Sequence, residues 1–315
     1  MKIVIASDLH ISKKIKRIDQ VLSLAENADI LCMTGDIVND GVSEQFMRVK
    51  EVIEQADENS FRKPILTVCG NHDYLLEKVT CREDKENFVK EFPDRDAYPY
   101  PVFEKWLEER NANLGIRYER DERGSGSYAV KYGEITFIGL NVISPGRKFD
   151  LNEGKQIDWL EEYLKNSNAK IHIILAHTPL FKHNAHALKK GGPYIVGNKK
   201  SKGDTGDKKL QQIIDHHKGT IIFISGHTHQ SPNIGTGNVQ MDEINQNIYI
   251  DAGSVCPTDL DLAAGEVAPK EWKGGNITEL TINEHEVEIE MKMLWGKKIP
   301  KGCCKISIDR DMKFD

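Results

Sequence analysis

The sequence predicts an α/β fold of two sheets packed face to face with helices outside. Three observations carry that prediction. The first ~75 residues alternate apolar, strand-length runs with amphipathic stretches across short connections, a β-α-β-α-β order that implies a parallel sheet with right-handed crossovers. Five apolar runs end alike, each delivering Asp, Asn or His, and in open α/β sheets functional groups gather at the carboxyl ends of strands. Strand-length runs return late in the chain, at Ile248 to Ala252, 276–282 and 285–294, and read as antiparallel.

In order, Lys2 to Ala6 is a strand ending in Ser7-Asp8-Leu9-His10. Residues 13–28 read as a helix, with Ile15, Ile18, Val21, Leu22 and Ala25 near helical spacing. Ala28 to Met33 is a strand ending in Thr34-Gly35-Asp36. Ser43 reads as the N-cap of a helix whose apolar face is Phe46, Val49, Val52, Ile53 and Ala56. The run Ile65 to Cys69 ends in Gly70-Asn71-His72-Asp73.

Residues 74–123 break this rhythm, with many charges, three prolines (Pro93, Pro99, Pro101) and one clear helix from Val102 to Arg110. They read as an insertion, either a lid over the strand ends or a solvated excursion. Ser127 to Tyr132 and Ile135 to Asn141 form a hairpin about Gly133-Glu134. A helix with Ile157, Leu160 and Leu164 inward leads to the strand Lys170 to Ala176, ending in His177-Thr178-Pro179. Residues 182–206 are a loop rich in Gly, Lys and Asn. After the helix Lys208 to His217, Thr220 to Ile224 is a strand ending in Ser225-Gly226-His227-Thr228-His229. Residues 1–294 are expected to form one domain, and 295–315 a C-terminal extension with a weak strand and a charged tail.

The 315 residues suffice for a multilayer core, and 39% hydrophobic with 29% charged residues is an ordinary globular composition. A net charge of -6 argues against a general nucleic-acid backbone binder, though not against a local basic patch. No apolar run approaches the ~20 residues of a membrane helix. Residue 2 already begins a core strand, so no targeting segment is expected. The six cysteines lack framework spacing, which fits a cytoplasmic protein; Cys32 and Cys69 read as inert core thiols.

Asp8, His10, Asp36, Asn71, His177, His227 and His229 offer oxygen and nitrogen ligands and no sulfur, a set suited to Mn, Fe or Zn as divalent ions. Seven ligands exceed one tetrahedral ion and suit two if a carboxylate bridges. Asp36, on a central strand, is the candidate bridge. Two ions ~3.5–4 Å apart can activate a bridging water as hydroxide and clamp the oxygens of an in-line displacement at phosphorus. His72, beside Asn71, can protonate a leaving alkoxide, with Asp73 fixing its tautomer.

The ordered set Asp8-x-His10, Gly35-Asp36, Gly70-Asn71-His72-Asp73, His177 and Gly226-His227-Thr228-His229 resembles the calcineurin-like metallophosphoesterase superfamily from Met1 to about Gly253. The resemblance implies a four-layer α-β-β-α sandwich. It implies one metal on Asp8, His10, Asp36 and His229, and another on Asp36, Asn71, His177 and His227. His72 would be the acid or transition-state stabiliser. Thr34 to Gly41, Ser43 to Phe46 and Gln156 to Leu164 resemble the bacterial cyclic-nucleotide and glycerophosphodiester phosphodiesterase branch. Asn39-Asp40-Gly41 stands where phosphoprotein phosphatases carry Asp-Arg-Gly. The expected activity is that of a phosphodiesterase on a nucleotide-like or other phosphate-ester small molecule, with a phosphomonoesterase or a DNA-processing nuclease of the same fold as the alternatives. A non-enzymatic scaffold would lack ligands that are all present here.

Overall fold

Alternation along each strand separates an inner core from an outer one. In β1 (Lys2–Ala6), Ile3 and Ile5 face the opposite sheet, while Val4 and Ala6 pack beneath helices. The same partition holds for β7 (Ile171–Ala176), where Ile171, Ile173 and Leu175 point between the sheets. The computed structural model describes residues 1–12, 17–74, 98–141, 143–144, 148–149, 155–180, 205–229, 239–242, 245–256, 260–261, 266–267 and 275–308.

The first sheet joins β1, β2 (Ile30–Met33) and β3 (Ile65–Thr67) in parallel. On the far side of β1 it adds antiparallel β11 (Asn276–Ile282), β12 (Glu286–Met293) and β13 (Lys298–Ser307). The weak terminal strand expected from sequence is thus a ten-residue edge strand of this sheet. The second sheet runs β9 (Val239–Met241), β10 (Ile248–Asp251), β8 (Thr220–Ser225), β7, β6 (Ile135–Leu140), β5 (Tyr128–Tyr132) and β4 (Tyr118–Arg120). Strand β10 was expected antiparallel, and it pairs in parallel with β8. Its carboxyl end therefore joins those of β6, β7 and β8.

Helices α1 (Ile18–Ala25) and α2 (Ser43–Glu58) cover the first sheet. Helices α4 (Lys155–Asn166) and α5 (Thr205–His216) cover the second, which completes four layers. Ser43 is the first residue of α2 and caps nothing with its side chain; Val42 is the N-cap. Gln45 takes over, accepting the Asp40 N–H at 2.9 Å and donating to the Asp40 carboxylate at 2.7 Å.

Helix α3 (Pro99–Ala112) begins three residues earlier than its apolar pattern, because proline suits a first turn whose N–H groups have no intrahelical partner. Its Phe103 and Tyr100 pack on Phe46 of α2 with ring centroids 5.2 and 6.1 Å apart. Residues 98–120 of the expected insertion thus pack into the fold and add edge strand β4. Residues 75–97 of that insertion lie outside the described residues, as do residues 182–204 of the loop rich in Gly, Lys and Asn.

His172 is buried on the outer side of β7, with Nε2 2.8 Å from Ser167 Oγ and Nδ1 3.2 Å from His217 Nε2. Burial, with the facing His217, pushes its pKa from 6.5 down to about 4. The unfolded ring takes up a proton that the folded ring resists. Stability is therefore expected to fall as pH drops from about 6.5 toward 4. Melting temperature measured against pH should show a shallower acid limb in His172→Gln than in the parent.

Candidate metal centre

The loops leaving β1 and β2 stay zipped together past the strands. Asp8 N–H donates to Gly35 O at 3.1 Å, His10 N–H to Asp36 O at 2.9 Å, and Ile11 N–H to Ile37 O at 3.0 Å. Their polar residues turn inward by adopting left-handed backbone, with φ of 53° at Asp8, 47° at His10 and 49° at Asp36. His227 and His229 do the same at 68° and 52°. Such conformations cost roughly 1–3 kcal/mol each and persist where surrounding structure over-determines them. Concentrated on five candidate ligands, they mark this edge as a functional site.

Two glycines permit the approach. A Cβ on Gly70 would lie 2.2 Å from Asp36 N, and one on Gly226 would lie 1.7 Å from Ser7 Oγ. No side chain fits at either position.

All seven expected ligands converge. Asp8, His10, Asp36 and His229 present ligand atoms within 4.8 Å of one another, and so do Asp36, His177 and His227. Asp36 belongs to both groups. Asn71 joins the second, its Oδ1 lying 3.2 Å from His177 Nε2.

The hydrogen bonds show what the cluster lacks. His177 Nδ1 lies 2.8 Å from Thr34 O, so it carries the hydrogen. Its Nε2 then faces Asn71 Oδ1, His227 Nδ1 at 3.1 Å and Asp36 Oδ2 at 3.4 Å, so metal-ligating atoms of four residues meet at one point. His10 Nε2 and His229 Nε2 lie 3.0 Å apart. Asp8 Oδ1 is buried, sits 3.1 Å from His229 Nε2 and accepts no hydrogen bond. Ligand atoms buried this close together call for positive charge between them, supplied by protons on the imidazoles or by metal ions. The residues present fit divalent metal.

The electrostatics agree. Burial works against the charged His177 ring, yet the Asp36 carboxylate outweighs it and raises the pKa to about 9. Burial also pushes Asp8 and Asp36 upward, but His229 and His177 respectively hold them well below the usual carboxylate range. Burial lowers His10 to about 4 and, with His177 adding to it, His227 to about 3. The centre thus sets two ionised carboxylates beside two imidazoles lowered toward the neutral form; against burial, Asp8 raises His229 as Asp36 raises His177, so metal binding would displace protons from those two rings.

His72 sits edge-on to His10, with ring centroids 4.5 Å apart, and its Nδ1–H donates to Asn39 O at 2.7 Å. That corrects the role expected of Asp73. Asp73 accepts the Gly70 N–H at 2.7 Å and the Val38 N–H at 3.1 Å, tying two loops together, while a main-chain carbonyl fixes the His72 tautomer. Burial and the Asp36 charge push Asp73 up to about 8.

Sequence reading missed several supporting residues. Ser7 Oγ donates to Asp8 Oδ2 at 2.6 Å, and the His227 N–H reaches the same oxygen at 2.9 Å. Asp251, at the carboxyl end of β10, accepts the Thr228 hydroxyl and so anchors the residue between two candidate ligand histidines. Ser254 Oγ lies 3.4 Å from His229 Nδ1. The sequence signal for Asp251 was a strand ending in an acid, which the antiparallel reading hid.

A sandwich of two mixed sheets with an oxygen–nitrogen metal cluster at its carboxyl edge defines a metallohydrolase. Residues 1–231 match the calcineurin-like phosphoesterase family. The chain belongs to that family and is a metal-dependent phosphoric ester hydrolase. It is 22% identical over 244 residues to a probable glycerophosphodiester phosphodiesterase of Arcobacter nitrofigilis, covering 73% of this chain and 72% of the relative. It is 23% identical over 207 residues to a probable cyclic nucleotide phosphodiesterase of Synechococcus, covering 64% of this chain and 58% of the relative. Among solved structures, a conserved uncharacterized protein (predicted phosphoesterase) of Streptococcus pneumoniae aligns over 97% of both chains, at 11% identity and a TM-score of 0.40. Vacuolar Protein Sorting 29 of Cryptosporidium parvum aligns over 98% of both, also at 11% and 0.40.

Proposed function

We propose that the chain is a dinuclear phosphodiesterase acting on small, nucleotide-like or glycerol-type phosphodiesters in the cytoplasm. The observation that carries the reading is the sharing of Asp36 between two ligand groups. One ion would be held by Asp8, His10, Asp36 and His229, and the other by Asp36, Asn71, His177 and His227. The donor set, free of thiolate, favours Mn, Fe or Zn. When bound, such ions supply an activated water and neutralise charge on the phosphoryl oxygens.

The chain's own residues do the rest. The two sheets hold the ligands in opposition across one edge. His72, its Nδ1–H engaged by Asn39 O, keeps Nε2 for proton transfer to the departing alkoxide. Asp73 acts as a positioning residue through the Gly70 and Val38 amides. The diester preference is supported by the names of the two sequence relatives. The cytoplasmic setting is supported by free cysteines throughout the described residues.

Initial rates on bis-p-nitrophenyl phosphate and p-nitrophenyl phosphate, after reloading with Mn, test the substrate class. The diester is expected to show the higher kcat/KM. A clear preference for the monoester would make the enzyme a phosphatase.

A further inference from the structure

Asn71 and His72 hang from the end of β3, the outermost strand of the first sheet. An edge strand leaves alternate N–H and C=O groups without a neighbour. On its inner side β3 is paired conventionally, ending with Val68 N–H on Met33 O at 3.1 Å. On its outer side three side chains stand in for a missing strand. Asn111 of α3 accepts the Ile65 N–H at 3.2 Å and donates to Ile65 O at 2.7 Å. The Tyr128 hydroxyl of β5 donates to Thr67 O at 2.8 Å. Asn141, just past β6, accepts the Cys69 N–H at 3.3 Å. Residues 65, 67 and 69 follow the two-residue period of one strand edge. All three capping side chains are buried.

We propose that Asn141 is a positioning residue for the Asn71 side of the metal centre. It holds the last N–H before Gly70, so it fixes where the ligand turn begins. Its own seat is hydrogen-bonded on two sides. Asn141 Nδ2 donates to Gly126 O at 2.8 Å, and Asn141 O accepts from Gln156 Nε2 at 3.1 Å. Gln156 Oε1 in turn accepts the Ser127 hydroxyl at 2.8 Å. The bond also crosses between sheets. The centre draws Asp8, His10, Asp36 and Asn71 from the first sheet, and His177, His227 and His229 from the second. Its spacing therefore depends on how the two carboxyl edges are tied. The Asp8 bond to His227 N–H ties one flank, and the Cys69 bond to Asn141 ties the flank that carries Asn71. Loss of a hydrogen bond made directly to a ligand typically costs about 10–100-fold in metal affinity, and Asn141, which holds the chain two residues before Asn71, is expected to reach the lower part of that range.

The inference rests on Asn71 being a ligand, and the test separates the two claims. Metal-free, full-length protein is titrated with Mn²⁺, with binding followed by calorimetry and by the electron paramagnetic resonance signal of free Mn²⁺. The variants are Asn71→Ala, Asn141→Ala, Asn141→Asp and Asn111→Ala. Asn141→Ala is expected to weaken one of two Mn²⁺ sites by about 10-fold and leave the other unchanged, and Asn71→Ala is expected to weaken the same site. Asn141→Asp keeps an oxygen for the Cys69 N–H but loses the donor to Gly126 O, so its affinity at that site is expected to fall between those of the parent and Asn141→Ala. Asn111→Ala removes the cap at the far end of the same strand, and should lower the melting temperature while leaving both affinities intact. Unchanged Mn²⁺ binding in Asn141→Ala, or equal weakening in Asn111→Ala, would overturn the positioning role. Should Asn141→Ala fail to fold, Asn141→Asp decides: loss of the site despite its retained acceptor sinks the proposal. Unchanged binding in Asn71→Ala would instead remove the ligand assignment itself.

Discussion

Asp36→Asn is expected to empty the metal centre and abolish hydrolysis together. Asp36 is the residue common to both ligand groups. Its Oδ2 lies between His177 Nε2 at 3.4 Å and His10 Nε2 at 3.7 Å, where one oxygen can serve two ions. Asparagine keeps the size but removes the charge, and it replaces one acceptor oxygen with a donor NH₂. Buried beside Asp8, the carboxylate supplies half the negative charge that offsets the ions. The loss should exceed the roughly 10–100-fold expected on removal of an outer partner. The fold should survive, because Oδ1 can still accept the His72 N–H, now at 2.6 Å. The check is metal per chain by plasma mass spectrometry after dialysis, beside the rate on bis-p-nitrophenyl phosphate and a circular dichroism spectrum. Two ions retained per chain would refute the bridging role.

Legible and illegible features of the sequence divide along a physical line. The convergence of the candidate ligands was legible because a parallel strand fixes where its carboxyl end lies, and so where the residues just beyond it gather. Five apolar runs ending in Asp, Asn or His needed only that rule. The direction of β10 was not legible, since a fully buried strand shows the same apolar run whether parallel or antiparallel. That one ambiguity concealed Asp251. The Cys69–Asn141 bond spans 72 residues and leaves no local periodicity, so the edge caps of β3 were invisible. The left-handed backbone at Asp8, His10, Asp36, His227 and His229 was likewise hidden, because those residues tolerate positive φ without requiring it. Asp73 was misread for a related reason. Adjacency in sequence placed it beside His72, whereas the turn sends its carboxylate back to Gly70 and Val38.

His72→Ala is expected to separate metal binding from proton transfer. The main-chain N–H of residue 72 orients Asp36 Oδ1, and alanine preserves it. The lost ring meets the centre edge-on at His10, not through one of the candidate ligand atoms. Both ions should therefore remain. A group that protonates a departing alkoxide contributes about 10²–10⁴-fold, and that contribution is needed most when the leaving group is a poor one. An alkyl diester should lose rate over that range in His72→Ala. A p-nitrophenyl diester should lose much less, since p-nitrophenolate departs without a proton. The diagnostic is the slope of log kcat against leaving-group pKa, expected to be steeper in the variant with metal content unchanged. A ring that only stabilised charge on the phosphoryl oxygens would serve every leaving group alike. It would shift all rates down in parallel, and that outcome would remove His72 as the acid while keeping it in the site.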